Sequence, residues 1–261
     1  MDLGLKNKCA LVLGGNRGIG QGIAHALAAE GASVAIAARD PVRLEAAAQE
    51  LRATGSNIAA FEVDLSKIDT LAGLAARVTA NFGPIDILVN NTGGPGYGGV
   101  VTRGAEEWRG RFEDMVLSVI TLTDALLPGM ITRKWGRILT VVSSGVIQPI
   151  PVLGVSNTLR SALVGWSKTL SGEVAAHGIT ANVLVPGRID TERVRLTDEA
   201  VAKREGITVE EARKRSFATI PLGRYGTTAE FGALAAFAAS VPASYITGAM
   251  LRADGGIVRS T

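Results

Sequence analysis

The 261 residues include a single cysteine, Cys9, which excludes an internal disulfide and fits a reducing compartment. Histidine is almost as scarce, with only His25 and His177, and no zinc-ligand set can be assembled. No linker or low-complexity stretch divides the chain, and no apolar run approaches the length of a membrane span. Residues 1–8 are polar and carry no apolar signal region. A one-sided charge is missing too: 27 Lys and Arg stand against 24 Asp and Glu, with the cations scattered among the acids, so a nucleic-acid surface is not expected. These absences lead to the expectation of a soluble cytoplasmic protein that uses no metal and contacts neither membrane nor nucleic acid.

What is present fits one α/β domain over residues 1–261, with 47% hydrophobic residues and 32 glycines. The chain is organised around the stretch from Cys9 to Gly22. Ala10 to Leu13 is an apolar run suited to a buried strand, a glycine-rich turn follows, and Gly20 leads into a helical repeat through Ile23, Ala24, Leu27 and Ala28. Gly14, Gly18 and Gly20, with Asn16, Arg17 and Ile19 between them, let the backbone turn tightly and let a pyrophosphate approach the helix N-terminus. A second strand, Ser33 to Ala38, ends at Arg39, where such a fold reads the adenosine ribose. A carboxylate there suits a ribose 2′-hydroxyl, whereas Arg39 and Arg17 together suit a 2′-phosphate. NADP(H) is therefore expected over NAD(H), unless both arginines are plain solvated cations.

Strands and helices then alternate: a helix over Pro41 to Thr54, a strand from Ile58 to Val63, a helix over Leu71 to Phe82, and a strand running into Asn90 and Asn91. That order predicts a doubly wound, mostly parallel sheet with helices on both faces. Asp64-Leu65 follows the third strand, and Asp64 either meets the adenine amino group or caps the next segment. Further helices are expected over about Trp108 to Leu127 and Ser156 to Ala176, flanking a strand over Arg137 to Ser143.

The motifs now in view resemble those of the short-chain dehydrogenase/reductase family. Leu13-Gly14-Gly15-Asn16-Arg17-Gly18-Ile19-Gly20 is similar to its glycine loop, with leucine where threonine is usual, and Asn90-Asn91-Thr92-Gly93 resembles its Asn-Asn-Ala-Gly. Pro186-Gly187-Arg188-Ile189-Asp190-Thr191 and the pair Ile246-Thr247-Gly248 and Asp254-Gly255-Gly256 match its later signatures. The resemblance implies hydride transfer with a nicotinamide cofactor. It implies contacts from Asn91, Gly93, Pro186, Gly187, Ile189 and Thr191, and assembly of the two long helices with copies of themselves into a homodimer or homotetramer.

The catalytic positions depart from that pattern. The family uses Asn, Ser and a Tyr-x-x-x-Lys, and the corresponding positions here hold Met115, Ser143, Ser156 and Arg160. No asparagine occurs between Asn91 and Asn157, so a shifted register restores nothing. A serine hydroxyl is too short and too weakly acidic to replace a tyrosine that protonates a developing alkoxide, and arginine exchanges no proton near neutral pH. Hydride addition to an α,β-unsaturated carbonyl gives a less basic enolate oxygen, for which Ser143, Asn157 and Arg160 are the expected donors. Three alternatives stand at this point. They are such a conjugate reductase, an ordinary 3-oxoacyl-type carbonyl reductase using Tyr97 or a relayed water as acid, and a catalytically silent NADP(H)-binding protein. The loop through Gln148 and the pocket-wall residue Arg188 are expected substrate contacts, Arg188 for a carboxylate; Tyr97 is either a third such contact or a surface residue. Glu192 to Thr219 resembles the family's substrate-covering segment, and Thr208-Val209-Glu210-Glu211 reads as a capping box for a helix to about Ser216.

Overall fold

A strand covered on both faces needs apolar side chains of both parities, and the strands of this chain satisfy that rule. In β1 (Cys9–Leu13), Ala10 and Val12 enter one core while Leu11 and Leu13 enter the opposite one. The same alternation holds in β2 (Ser33–Ala38), where Val34 and Ile36 oppose Ala35 and Ala37. The computed structural model describes residues 1–101 and 103–260. Its remaining strands are β3 (Ile58–Glu62), β4 (Ile87–Asn90), β5 (Gly136–Val141), β6 (Ile179–Pro186) and β7 (Met250–Ala253). All neighbours pair in parallel, in the order β3-β2-β1-β4-β5-β6-β7. The result is a single Rossmann-like α/β sheet of seven strands. Strand order reverses between β1 and β4, and a crevice opens at their carboxyl ends.

The crossovers are α1 (Gly18–Ala29), α2 (Pro41–Arg52), α3 (Leu71–Phe82), α4 (Ala105–Phe112), α5 (Ser118–Arg133) and α6 (Gly154–Val174). After β6 come α7 (Glu192–Glu205), α8 (Val209–Ala218) and α9 (Thr228–Ala239). Asp40 caps α2 by accepting from the Val42 and Arg43 amides at 3.1 Å, ahead of Pro41 in the first turn. Helix α6 starts two residues before the expected Ser156, because the Gly154 amide donates to the Gly98 carbonyl at 3.0 Å. The expected box at Thr208 is one-sided. Thr208 accepts from the Glu211 amide, but the Glu211 carboxylate turns to Arg215. The reciprocal box is Thr227 with Glu230, at the start of α9.

The helix expected over Trp108 to Leu127 is longer: α4 and α5 join through a π-helical turn at Glu113–Leu117 and run from Ala105 to Arg133. It is long and apolar enough by composition to cross a membrane, which corrects the expectation that no stretch would be. Burial accounts for the apolarity, since Met115, Val116 and Val119 pack under α6 while Leu122, Leu126 and Met130 pack on the sheet. Pro128 lies inside α5, not at its end.

Helices α1 and α9 touch backbone to backbone. A methyl group added at Gly22 would stand 2.5 Å from the Thr228 carbonyl oxygen, and one at Gly232 would strike the Gly22 carbonyl and stand 3.0 Å from Ala26 Cβ. Gly232→Ala therefore tests packing against propensity. Helix propensity alone gives a gain of up to about 1 kcal/mol, whereas overpacking gives a net loss of about 1–2 kcal/mol. Urea denaturation should show the loss.

Candidate active site

The nucleotide end of the crevice is made by residues that leave space. Gly14 and Gly18 hold φ of +59° and +55°, which glycine alone adopts without strain. A methyl group at Gly14 would sit 2.8 Å from Asn91 Nδ2, which itself donates to the Leu13 carbonyl at 3.1 Å. Gly20 has no room for a side chain against the Gly14 carbonyl. Arg17 is the N-cap of α1 without a side-chain cap bond, and no acid lies in the first turn, so the leading amides of Gly18, Ile19 and Gly20 face outward. Asn16 completes the turn before it. Such an uncapped terminus behind a glycine cradle fits a pyrophosphate. Thr191 closes the other side, with its Cγ2 3.4 Å from a methyl placed on Gly18. It follows Pro186 and Gly187, whose backbones join Ala253, and Ile189, which is buried and bridged to Gly226.

At the ends of β2 and β3 lies a cationic corner. Arg39 is exposed and makes no hydrogen bond or ion pair among the described residues. Arg17 and Arg43 converge on one Glu192 carboxylate, at 3.2 and 3.1 Å. Asp64 accepts from the Ser66 amide and hydroxyl at 3.1 and 2.8 Å, and these bonds, with Arg39 adding, hold its carboxyl below the usual range. Asp64 thus closes a turn onto Ser66 and is not the expected helix cap, since the next helical segment begins at Ile68 behind Lys67; the neighbouring Leu65 packs partly on the core.

At the ends of β4, β5 and α6 the catalytic candidates gather. Ser143 Oγ accepts from the Gly145 amide at 3.1 Å, which leaves its own proton free to donate. Ser156 is 5% exposed, and its hydroxyl makes no hydrogen bond among the described residues. Arg160 is buried, donating from Nη1 to the Val141 carbonyl at 2.8 Å and from Nη2 to those of Thr92 and Gly93 at 3.3 and 3.5 Å. Burial, with Arg193 nearby, lowers its pKa to about 10, so it stays charged at neutral pH. Thr92 Oγ1 is buried beside it without a hydrogen-bond partner among the described residues. Met115 sits in the π-helical turn, buried in the same apolar cluster as Val142, Val155 and Leu159.

Other expected contacts are placed differently. Asn157 spends one donor on the Ile150 carbonyl at 2.9 Å and accepts from the Ile150 amide at 3.4 Å, so it pins the 144–150 loop. Gln148 is exposed on that loop. Tyr97 bonds Thr197 of α7, while the adjacent Gly98 bridges to Leu153 just before α6. Arg188 borders a cleft of about 170 Å³ with Leu222, Arg224, Glu230 and Asp254, and none of Ser143, Ser156 or Arg160 lines it. His25 pairs with Glu50 away from the crevice.

Residues 14–258 match the family model described as enoyl-(acyl carrier protein) reductase. The 3-oxoacyl-[acyl-carrier-protein] reductase FabG of Escherichia coli (strain K12) is 36% identical over 258 residues, covering 98% of this chain and 99% of the relative. The structure of L-sorbose reductase from Gluconobacter frateurii, complexed with NADPH and L-sorbose, is similar with a TM-score of 0.95 at 30% identity, covering 100% of both chains. A short-chain oxidoreductase from Pseudomonas aeruginosa PAO1, described as containing an atypical catalytic center, has a TM-score of 0.88 at 28% identity over 97% of this chain and 98% of its own. Fold and crevice together define a Rossmann-type oxidoreductase. Within that class, the chain belongs to the short-chain dehydrogenase/reductase family.

Several site residues carry no sequence motif. Arg43 and Glu192 are ordinary charges on helix starts until tertiary structure joins them, and Arg193 reaches the Gly94 and Pro95 carbonyls at 3.1 and 2.9 Å. Tyr225 is buried and donates to both carboxylate oxygens of Asp198, at 2.8 and 2.9 Å, tying α7 to the segment before α9. Burial pushes the Tyr225 pKa up, so it remains a donor through neutral pH. Tyr225→Phe would leave the buried Asp198 without this donor and should cost roughly 1–3 kcal/mol, measured by urea denaturation.

Proposed function

We propose that this chain is an NADPH-dependent reductase of an activated or conjugated small carbonyl compound, working without the tyrosine acid of its family. One observation supports the proposal: bare glycines line one end of the crevice, and the buried Ser156 and Arg160, which we read as standing at the tyrosine and lysine positions, line the other. The NADPH complex of L-sorbose reductase supports the choice of cofactor, as do Arg17 and Arg39. The Pseudomonas aeruginosa relative, described as a short-chain oxidoreductase with an atypical catalytic center, is consistent with departures at this site within the family.

When bound, the cofactor supplies hydride. Gly14, Asn16, Gly18, Ile19 and Gly20 would hold its pyrophosphate, Arg17 and Arg39 the 2′-phosphate, Asp64 and Leu65 the adenine side. Asn91, Gly93, Pro186, Gly187, Ile189 and Thr191 would hold the nicotinamide half. Ser143 gives a hydrogen bond from its free hydroxyl to the substrate oxygen as an enolate develops, and water supplies the proton that the α-carbon takes up. Arg160 keeps positive potential beside that oxygen, and its bonds to Val141, Thr92 and Gly93 fix the ends of β4 and β5 against each other. Asn157 is a positioning residue for the loop behind Ser143. Residues 192–219 would cover the substrate, with Tyr97 and Gln148 at the rim.

A second reading is a 3-oxoacyl reductase, favoured by the likeness to FabG, with Tyr97 as substitute acid. The third is a silent NADP(H)-binding protein. We further propose a cytoplasmic protein that assembles as a homodimer or homotetramer; the edge strand β7 leaves Met250 exposed, and Tyr245 in the segment before it is fully exposed. Purified protein should bind NADPH at least about tenfold more tightly than NADH, a difference of roughly 1.4 kcal/mol, and should oxidise NADPH with an enone but not with the matched saturated ketone. Turnover of the saturated ketone with the enone untouched would contradict this. Activity should persist through neutral pH and fall as pH rises towards about 10, where Arg160 loses its charge. The double variant Ser156→Tyr with Arg160→Lys should gain saturated-ketone reduction.

A further inference from the structure

Glu192 is the first residue of α7, yet its carboxylate reaches across the crevice to the nucleotide-binding half. One oxygen, Oε2, accepts from Arg17 Nη1 at 3.2 Å and from Arg43 Nη1 at 3.1 Å. Arg17 belongs to the glycine loop and Arg43 to the first turn of α2, so both stand at the carboxyl ends of β1 and β2 beside Arg39. The neighbouring Thr191 meets the glycine loop at Gly18. The clasp is half exposed, with Glu192 52% and Arg17 64% accessible, so it contributes little to holding the fold. Arg43 and then Arg17 hold the Glu192 carboxyl below its usual range, so the anion is present throughout the neutral region.

We propose that Glu192 is a cofactor-specificity residue: an internal anion on the arginine corner that a nucleotide 2′-phosphate displaces and a 2′-hydroxyl does not. This rests on the reading that the chain binds NADP(H). A carboxylate brings one negative charge, whereas a phosphate monoester brings about −1.5 to −2 and three acceptor oxygens. The phosphate therefore outcompetes the carboxylate for Arg17 and Arg43. A ribose hydroxyl offers no charge in exchange, and the clasp stays shut over it. Displacing two exposed ion pairs costs little, so the ligand bears a modest penalty and the start of α7 is released only by a phosphate-bearing cofactor.

The test compares wild type with Glu192→Gln, using NADPH, NADH and 2′,5′-ADP as calorimetric titrants. The variant should bind NADPH and 2′,5′-ADP about three- to tenfold more tightly, as expected for two exposed pairs, with NADH affinity unchanged within about twofold. Amide exchange gives a second readout: 2′,5′-ADP should speed exchange over residues 192–197 in wild type, and the variant should exchange fast without ligand. Normal NADPH binding with no change in the variant would overturn the specificity role while sparing the cofactor reading, and so would slower exchange over 192–197 with 2′,5′-ADP. Failure of wild type to bind either dinucleotide would overturn both.

Discussion

The Asn91 amide donates to the Leu13 carbonyl where the strand order of the sheet reverses, and the crevice depends on that link. It ties the end of β4 to the end of β1, and the same amide packs against the space left by Gly14 and Gly20. Any side chain at those glycines would meet Asn91 or the loop's own backbone, so the cradle exists only while these positions stay bare. Everything else at the site is placed from this seam: Arg17 and the uncapped start of α1 on one side, the Thr92-Gly93 carbonyls that hold Arg160 on the other.

From that seam the two ends of the crevice follow different chemistry. The nucleotide end is built from backbone amides, glycine space and guanidinium groups, which recognise phosphate with little help from the rest of the molecule. The reacting end is built from side chains whose partners are mostly backbone: Ser143 with Gly145, Asn157 with Ile150, Arg160 with three carbonyls. Asn157 braces the loop, while the Ser143 hydroxyl and the charge of the buried Arg160 are suited to stabilising charge that develops on an oxygen and poorly suited to delivering a proton.

The parallel sheet was legible because short continuous apolar runs alternate with helical repeats, and the crevice because Gly14, Gly18 and Gly20 sit between a strand and a helix. Segment ends were less legible. The start of α6 depends on Gly98 from a distant loop, and the fused α4–α5 helix on a π-helical turn that no periodicity announces. Charged partners were the least legible part. Glu192, Arg43, Asp198 and Tyr225 lie far apart in the chain, and only tertiary structure makes them pairs. Asn157 shows the converse: its type suggested a donor to substrate, whereas its neighbours make it a brace for a loop.

The claim that hydride is delivered without a tyrosine acid is tested most directly by where it lands. Reduction of an enone with NADPH deuterated at the transferred position should place the label on the carbon β to the carbonyl and leave the carbonyl intact. Label on the carbinol carbon of an allylic alcohol would contradict the account, because that product requires an alkoxide to be protonated by an acid that Ser143, Ser156 and Arg160 do not supply.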